Sequence, residues 1–235
     1  MNKLCIIPAR GGSKRIPRKN IKDFLGKPII AYSIEAAKSS KLFEEVMVST
    51  DDIEIADIAV KYGAKVPFIR SKVNADDYAS TVDVVIEVIN TYKNLGNEFE
   101  YACCIYPTAP LVKNKYLIDS FNLLIEKSYD TVFPVSKFSY PIFRALQINE
   151  NGKLSMIWSE NLTKRSQDLP DSYHDAGQFY WLNIPKLFAS NKLLTNNSGT
   201  IILNDLEVQD IDNEMDWKLA EIKYQLLNMS DKNEL

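Results

Sequence analysis

Two patterns of apolar residues alternate along the chain. Short continuous apolar runs, the mark of strands buried on both faces, are followed by longer stretches in which apolar residues recur every three or four positions, the mark of helices with one buried face. "KLCIIPA" predicts a first strand, and "KPIIAYSIEAAKSS" a helix opening near Pro28, because proline is favoured in a first turn. "EEVMVST" predicts a second strand, and "DDIEIADIAVKYG" a helix with acids in its first turn and a stop at Gly63. "AKVPFIR" predicts a short third strand, and "STVDVVIEVINTYKNLG" a helix capped by Ser80 or Thr81 and closed by Gly96. "YACCIYP" predicts a buried strand, "NKYLIDSFNLLIEKS" a helix and "DTVFPVS" another strand. This alternation predicts an α/β fold with a mostly parallel sheet covered on both faces.

The rhythm changes after Ser136. "FRALQINENGKLSMIW" reads as two strands around Asn151-Gly152, a hairpin signal. A polar stretch follows, after which "QFYWLNI", "GTIILN" and "EVQDID" predict late strands and "EMDWKLAEIKYQLLNM" a closing helix, with the last few residues expected to fray. The expected organisation is a single domain over residues 1–235 with an inserted lobe at about 137–178.

Composition narrows the class. The chain has 235 residues, enough for one domain of this kind, and a net charge of −3, which argues against general nucleic-acid binding. No apolar run approaches a membrane span and no leader-like segment opens the sequence, so no membrane partner is expected. Cys5, Cys103 and Cys104 all sit in apolar runs without metal spacing, which predicts buried thiols and a cytoplasmic location.

Against that acidic background one stretch stands out. "IIPARGGSKRIPRKN" places Arg10, Lys14, Arg15, Arg18 and Lys19 within ten residues after the first strand, with no acid before Asp23. Ligands of parallel α/β sheets bind beyond the carboxyl ends of the strands, so the loop is well placed for an anion, and Gly11 and Gly12 let its backbone approach one closely. A solvated basic face is the alternative reading. The spacing fits neither a Walker loop nor a dinucleotide fingerprint, since after Gly12 the next glycine is Gly26. Far along the chain, "VQDIDNEMDW" sets Asp210 and Asp212 two residues apart, on one face of an extended segment, with Ile211 turned inward. Such a carboxylate pair suits Mg²⁺, which prefers oxygen ligands; turn or cap residues ahead of the last helix are the alternative, and Asp216 is expected to be structural.

"IPARGGSKRIPRKN", followed in order by "STDD", "YPTAPL" and "DIDNEMDW", closely resembles the signature of the nonulosonate cytidylyltransferases, enzymes that make CMP-sialic acid and related CMP-sugars. The likeness spans nearly the whole chain. It implies a three-layer Rossmann-like nucleotidyltransferase fold, CTP as donor, a nine-carbon sugar acid as acceptor, Mg²⁺ as cofactor and a homodimer. It places Arg10, Lys19 and Asn20 on the nucleotide and its phosphates, with Gly11, Gly12 and Ser13 as cradle and Lys14 close by; Arg18 is expected to be solvated. Arg70, Ser80 and Thr81 fall in a segment that contacts the nucleoside, although Ser71 replaces the family's usual proline. Arg10, Lys19 and Asp210 are the expected catalytic groups, and Asp210 and Asp212 the metal ligands.

The same resemblance assigns the acceptor. "FPVSKFSYPIFRAL" and "KRSQDLPDSYHDAGQFYW" are most similar to the branch of the family that activates pseudaminic acid, for surface glycans or flagellin. His174, Asp175 and Gln178 then belong to the sugar side, as does Tyr106, which stands where many sialic acid enzymes carry Gln. Lys164 and Arg165 match cations that cross to the partner's site; an exposed loop pair is the other reading. The rivals are an N-acetylneuraminic acid enzyme of the same family and, in a different class, a non-enzymatic polyanion-binding module. A nicotinamide oxidoreductase is disfavoured by the missing glycine fingerprint.

Overall fold

A computed structural model describes residues 1–76 and 78–233, so the extreme C-terminus lies outside the described residues. In chain order the strands are β1 (Lys3–Pro8), β2 (Asp23–Phe24), β3 (Lys27–Pro28), β4 (Glu45–Ser49), β5 (Tyr101–Ile105), β6 (Thr131–Lys137), β7 (Leu146–Ile148), β8 (Leu154–Met156), β9 (Tyr173–Asp175), β10 (Phe179–Asn183) and β11 (Ser198–Leu203). The helices are α1 (Ile29–Ser40), α2 (Ile53–Lys61), α3 (Thr81–Asn94), α4 (Asn114–Glu126), α5 (Ile184–Ser190) and α6 (Glu214–Asn233).

One sheet organises the chain, in the order β11-β6-β10-β5-β1-β4, with β9 also pairing β6. Strands β4, β1 and β5 run parallel, as do β6 and β11, while β10 runs antiparallel between β5 and β6. Parity along the central strands builds the two cores. Cys5 and Ile7 of β1, with Cys103 and Ile105 of β5, pack beneath α1, α2 and α4. Leu4 and Ile6, with Ala102 and Cys104, pack on the other face against α3 and α5. Both parities are apolar because both faces are covered, which is why these strands read as unbroken apolar runs. The three cysteines are free and buried, and burial pushes the Cys104 thiol up to about 12, so the thiols stay protonated.

A third, smaller core joins distant segments. Ile16 of the basic loop, Phe24 and Tyr32 meet Ile211, Trp217 and Ala220, all buried. The loop that carries five cations is therefore held from below by one isoleucine.

Two expected strands are absent. "AKVPFIR" makes only an isolated bridge, Met47 to Lys65, since Pro67 offers no ladder donor and Arg70 N turns to Thr50 O at 2.9 Å. "EVQDID" is irregular: Asp216 accepts from the amides of Asp212 and Asn213 at 2.9 and 3.0 Å, a local cap that replaces sheet pairing. Its alternation survives without a ladder, with Ile211 buried and Asp210 exposed. The antiparallel direction of β10 and the short α5 and β9 were not expected. The β7–β8 hairpin forms a separate two-stranded sheet, as its pattern predicted.

Glu207 ties the last irregular segment to α4. It accepts from Tyr116 Oη at 2.9 and 3.0 Å and pairs with Lys113 at 3.0 Å. Burial alone would raise its carboxyl, but the hydrogen bonds from Lys113 and Tyr116 outweigh it and hold the group below the usual glutamate range. A depressed folded pKa contributes stability above the unfolded value, and that contribution is lost as pH falls through the folded value. Urea unfolding followed from pH 7 down to acid should show this loss, and Glu207→Gln should be less stable at pH 7 with a shallower acid slope.

Candidate active site

The C-terminal ends of β1 and β5 open into one cleft of about 580 Å³. Parallel neighbours force this, because the loops that follow them all leave from the same edge. Of the residues singled out from the sequence, Arg10, Ser13, Lys14, Lys19, Asn20, Arg70, Ser80, Thr81, Tyr106 and Asp210 line it. They come from five separate parts of the chain.

The basic loop is pinned at several points. Asn20 is buried and donates to Arg10 O at 2.9 Å, closing the loop on itself. Arg10 Nη1 donates to Asp76 O at 2.9 Å, which carries the first cation toward the Arg70–Thr81 segment. Lys19 Nζ donates to Ile211 O at 2.7 Å, between the two aspartates. Burial lowers the Lys19 ammonium and the two carboxylates work against that. Arg15 pairs with Asp212 at 2.6 Å. Arg18 is not solvated as expected; it pairs with Asp52 and Glu54, the two acids at the start of α2. Gly11 N donates to Asp51 Oδ1 at 3.0 Å, and neither Gly11 nor Gly12 lines the cleft wall.

Arg70 is buried and donates through Nε to Ser49 Oγ at 2.9 Å and through Nη2 to Ser49 O. Among the described residues no carboxylate lies within ion-pair distance of it, and burial lowers its pKa. A buried guanidinium at a cleft wall without an ionic partner is suited to a ligand that offers hydrogen-bond acceptors. Ser80 and Thr81 both line the cleft, and the capping role falls to Ser80. Ser80 caps α3 in a reciprocal box with Asp83, while Thr81 Oγ1 lies 3.2 Å from Tyr106 Oη inside the cleft.

Asp210 and Asp212 are brought together with the loop, Asp210 in the cleft and Asp212 through Arg15. Loss of hydration at the cleft wall and the neighbouring Asp212 charge both raise the Asp210 carboxyl. Two acids that repel each other beside an anion cleft are a donor set that a hard divalent cation would relieve. Among the described residues no group of three or more His, Cys, Asp and Glu could hold a metal, so water or substrate oxygens would complete the shell.

The expected sugar-side residues separate. A second cavity of about 410 Å³ adjoins the cleft at Asp210 and contains His174, Ser136 and Lys223. His174 rests edge-on against Phe138, with centroids 5.0 Å apart, and its Nδ1 lies 2.9 Å from Asp175 O. Asp175 accepts from Tyr180 Oη at 2.6 Å and from Gly177 N at 2.8 Å. Gln178 lines neither cavity; its side chain is buried and donates to Glu207 O. Lys164 and Arg165 are exposed and line neither cavity, with Arg165 paired to Asp168 at 2.8 Å. Sequence reasoning missed Asp51 and Asp52 as supports of the loop. The signal was available: "STDD" follows the strand beside β1, so the two loops must meet.

The chain matches the model of the family described as cytidylyltransferase over residues 4–207. It is 44% identical to the pseudaminic acid cytidylyltransferase of Campylobacter jejuni subsp. jejuni serotype O:2, over 96% of this chain and 97% of that protein. It is 35% identical to the CMP-N,N'-diacetyllegionaminic acid synthase of Legionella pneumophila subsp. pneumophila, over 94% and 95% of the two chains. Its fold is similar to that of a CMP:2-keto-3-deoxy-manno-octonic acid synthetase solved with CTP, at a TM-score of 0.70 and 18% identity, covering 97% of this chain and 100% of that one. The chain belongs to the cytidylyltransferase family. Its mixed sheet, with parallel core strands and the antiparallel β9 and β10, is the nucleotidyltransferase fold of that relative.

The glycines of the loop give a test of the cleft. A Cβ at Gly11 would lie 2.6 Å from Asp52 Oδ2, whereas one at Gly12 would meet nothing within 4 Å. Gly11→Ala should weaken CTP binding about tenfold by displacing the loop, and Gly12→Ala should change it little. Isothermal titration calorimetry of the two variants measures the difference.

Proposed function

We propose that this chain transfers CMP from CTP to the anomeric hydroxyl of pseudaminic acid, releasing pyrophosphate, and does so in the cytoplasm. The observation that carries the reading is the meeting of the basic loop, buried Arg70 and the Asp210–Asp212 pair at one cleft. The similarity to the Campylobacter jejuni protein supports the choice of acceptor.

The nucleotide would lie between the loop and the start of α3, with Thr81 and Arg70 on its nucleoside side and Arg10, Ser13, Lys14, Lys19 and Asn20 along its phosphates. The acceptor hydroxyl oxygen attacks the α-phosphorus and gives its proton to solvent, the bond to the bridging oxygen breaks, and that bond's electron pair leaves with pyrophosphate. Catalysis is mostly positioning and charge stabilisation. Lys19, fixed to Ile211 O, presents its cation without reorganisation, and removing it should cost about 3 kcal/mol of transition-state stabilisation, by analogy with the loss of one oxyanion donor. Asp210 and Asp212 would hold Mg²⁺, which supplies charge neutralisation on the phosphates when bound. The acceptor would occupy the adjoining cavity at His174, with Tyr106 and the Tyr180–Asp175 pair at the junction.

Incubation with CTP, Mg²⁺ and either pseudaminic acid or N-acetylneuraminic acid should release pyrophosphate with the first and little with the second. Asp210→Ala and chelation by EDTA should each abolish turnover. Preferential use of N-acetylneuraminic acid would place the chain on another branch of the family, and salt-sensitive polyanion binding without turnover would favour the binding-module reading.

We infer further that residues 137–178 form a lobe used in a two-fold homodimer. Leu146, Ile148, Leu154 and Ile157 of the hairpin are 53, 72, 62 and 48% exposed, an apolar surface that the chain itself leaves open. Lys164 and Arg165 on the same lobe would then reach the partner's phosphates. Light scattering should give a dimer at micromolar concentration, and mixed Arg165→Ala and Lys19→Ala subunits should regain part of the activity that each lacks alone; a monomer would overturn the assembly.

A further inference from the structure

Arg18 takes no part in the cleft lining, yet it is among the most tightly engaged cations of the loop. Its backbone lies in the left-handed region, at φ 55° and ψ 30°, a conformation that costs a non-glycine residue free energy and persists only when neighbouring contacts hold it. The contacts are visible. Nη1 and Nη2 grip the two oxygens of Asp52, Nη2 also pairs with Glu54, and Lys22 N and Ile21 N both donate to Arg18 O at 3.0 Å. The bidentate pair is partly exposed, with the Arg18 and Asp52 side chains 39 and 21% exposed.

The other end of the loop rests on the same turn. Gly11 N donates to Asp51 Oδ1, and its Cα packs so closely on Asp52 that a methyl group would not fit. Asp52 is itself fixed: its amide donates to Thr50 Oγ1 at 3.1 Å, and its Oδ1 accepts from Ile55 N at 3.0 Å as the cap of α2. So Gly11 and Arg18, which flank Ser13, Lys14 and Arg15, are both registered on one rigid corner after β4. The residue after Arg18 is Lys19, which reaches Ile211 O on the other side of the loop.

We propose that Arg18 and Asp52 are positioning residues for CTP, a clamp that fixes the loop so that its donors, Lys19 foremost, meet the phosphates in register. This rests on the cytidylyl-transfer reading of the cleft. An ion pair of this exposure adds little to global stability. Its effect is local, because a loop with five cations in ten residues repels itself and the clamp removes one of them from that repulsion. The guanidinium holds the Asp52 carboxyl below the usual carboxylate range, so the clamp stays charged from neutral into mildly acidic pH.

The test separates the clamp from the cap. Asparagine caps a helix as well as aspartate does, so Asp52→Asn keeps the acceptor for Ile55 N and loses only the ionic grip. Arg18→Gln removes the other half. CTP binding is measured by isothermal titration calorimetry with Mg²⁺, alongside KM for both substrates and the melting temperature. Each single variant should weaken CTP binding about tenfold, the equivalent of one charge-assisted hydrogen bond. The double variant should be no worse than the weaker single one, Arg18→Lys should recover part of the loss, and KM for the sugar acid and the melting temperature should hold. Additive losses, unchanged CTP binding in both single variants, or a parallel loss for both substrates with a fall in melting temperature would overturn the clamp. Failure of the unaltered chain to bind CTP would instead sink the cytidylyl-transfer reading, and the clamp's role with it.

Discussion

The meeting of the basic loop with the segment before α6 is the constraint on which the rest of the site depends. Ile16 is buried in one cluster with Ile211 and Trp217, and Lys19 donates to Ile211 O across 192 residues of chain. That junction brings the cations of the loop and the aspartates ahead of α6 to one place. With it, Asp210 faces the same cleft as Lys19, and Asp212 is held at its rim by Arg15. The isoleucine matters as much as the lysine, because a highly charged loop has no apolar reason of its own to adopt one shape.

Sheet topology supplies the platform. β1 lies between two parallel neighbours, and every core residue it carries is packed by helices above or below. A strand so enclosed has no freedom to shift register, which fixes where its C-terminal loop emerges. The loop after β4 emerges beside it and offers Asp51 and Asp52 as its supports. The antiparallel β10 serves a different end. Its N-terminal side leads back through Gly177, whose φ of 62° is a left-handed conformation that glycine adopts without strain.

Charge in this molecule is local, and its overall sign says little about the site. The chain is acidic, yet the cleft gathers Arg10, Lys14, Arg15, Lys19 and Arg70, and the acids near it have specific partners or specific neighbours. Arg18 is tied to Asp52 and Glu54, and Arg15 to Asp212. What remains facing the cleft is a set of donors suited to a polyphosphate beside two carboxylates suited to a cation.

The sequence by itself determined the elements with strong local signals. The apolar runs of β1, β4, β5 and β6, the capped helices α2 and α3, and the Asn-Gly hairpin were all legible, because periodicity, caps and turn residues act within a few positions. The Arg10–Asn20 loop and the Asp210–Asp212 pair were legible as chemistry for the same reason: like residues cluster in the chain. Tertiary structure alone decided how they combine. It turned β10 antiparallel, denied ladders to "AKVPFIR" and "EVQDID", drew Gln178 into the interior and gave Arg18 to Asp52 instead of to solvent. Each of these outcomes depends on a partner supplied from elsewhere in the chain, and local pattern carries no information about which partner folding will bring within hydrogen-bond reach.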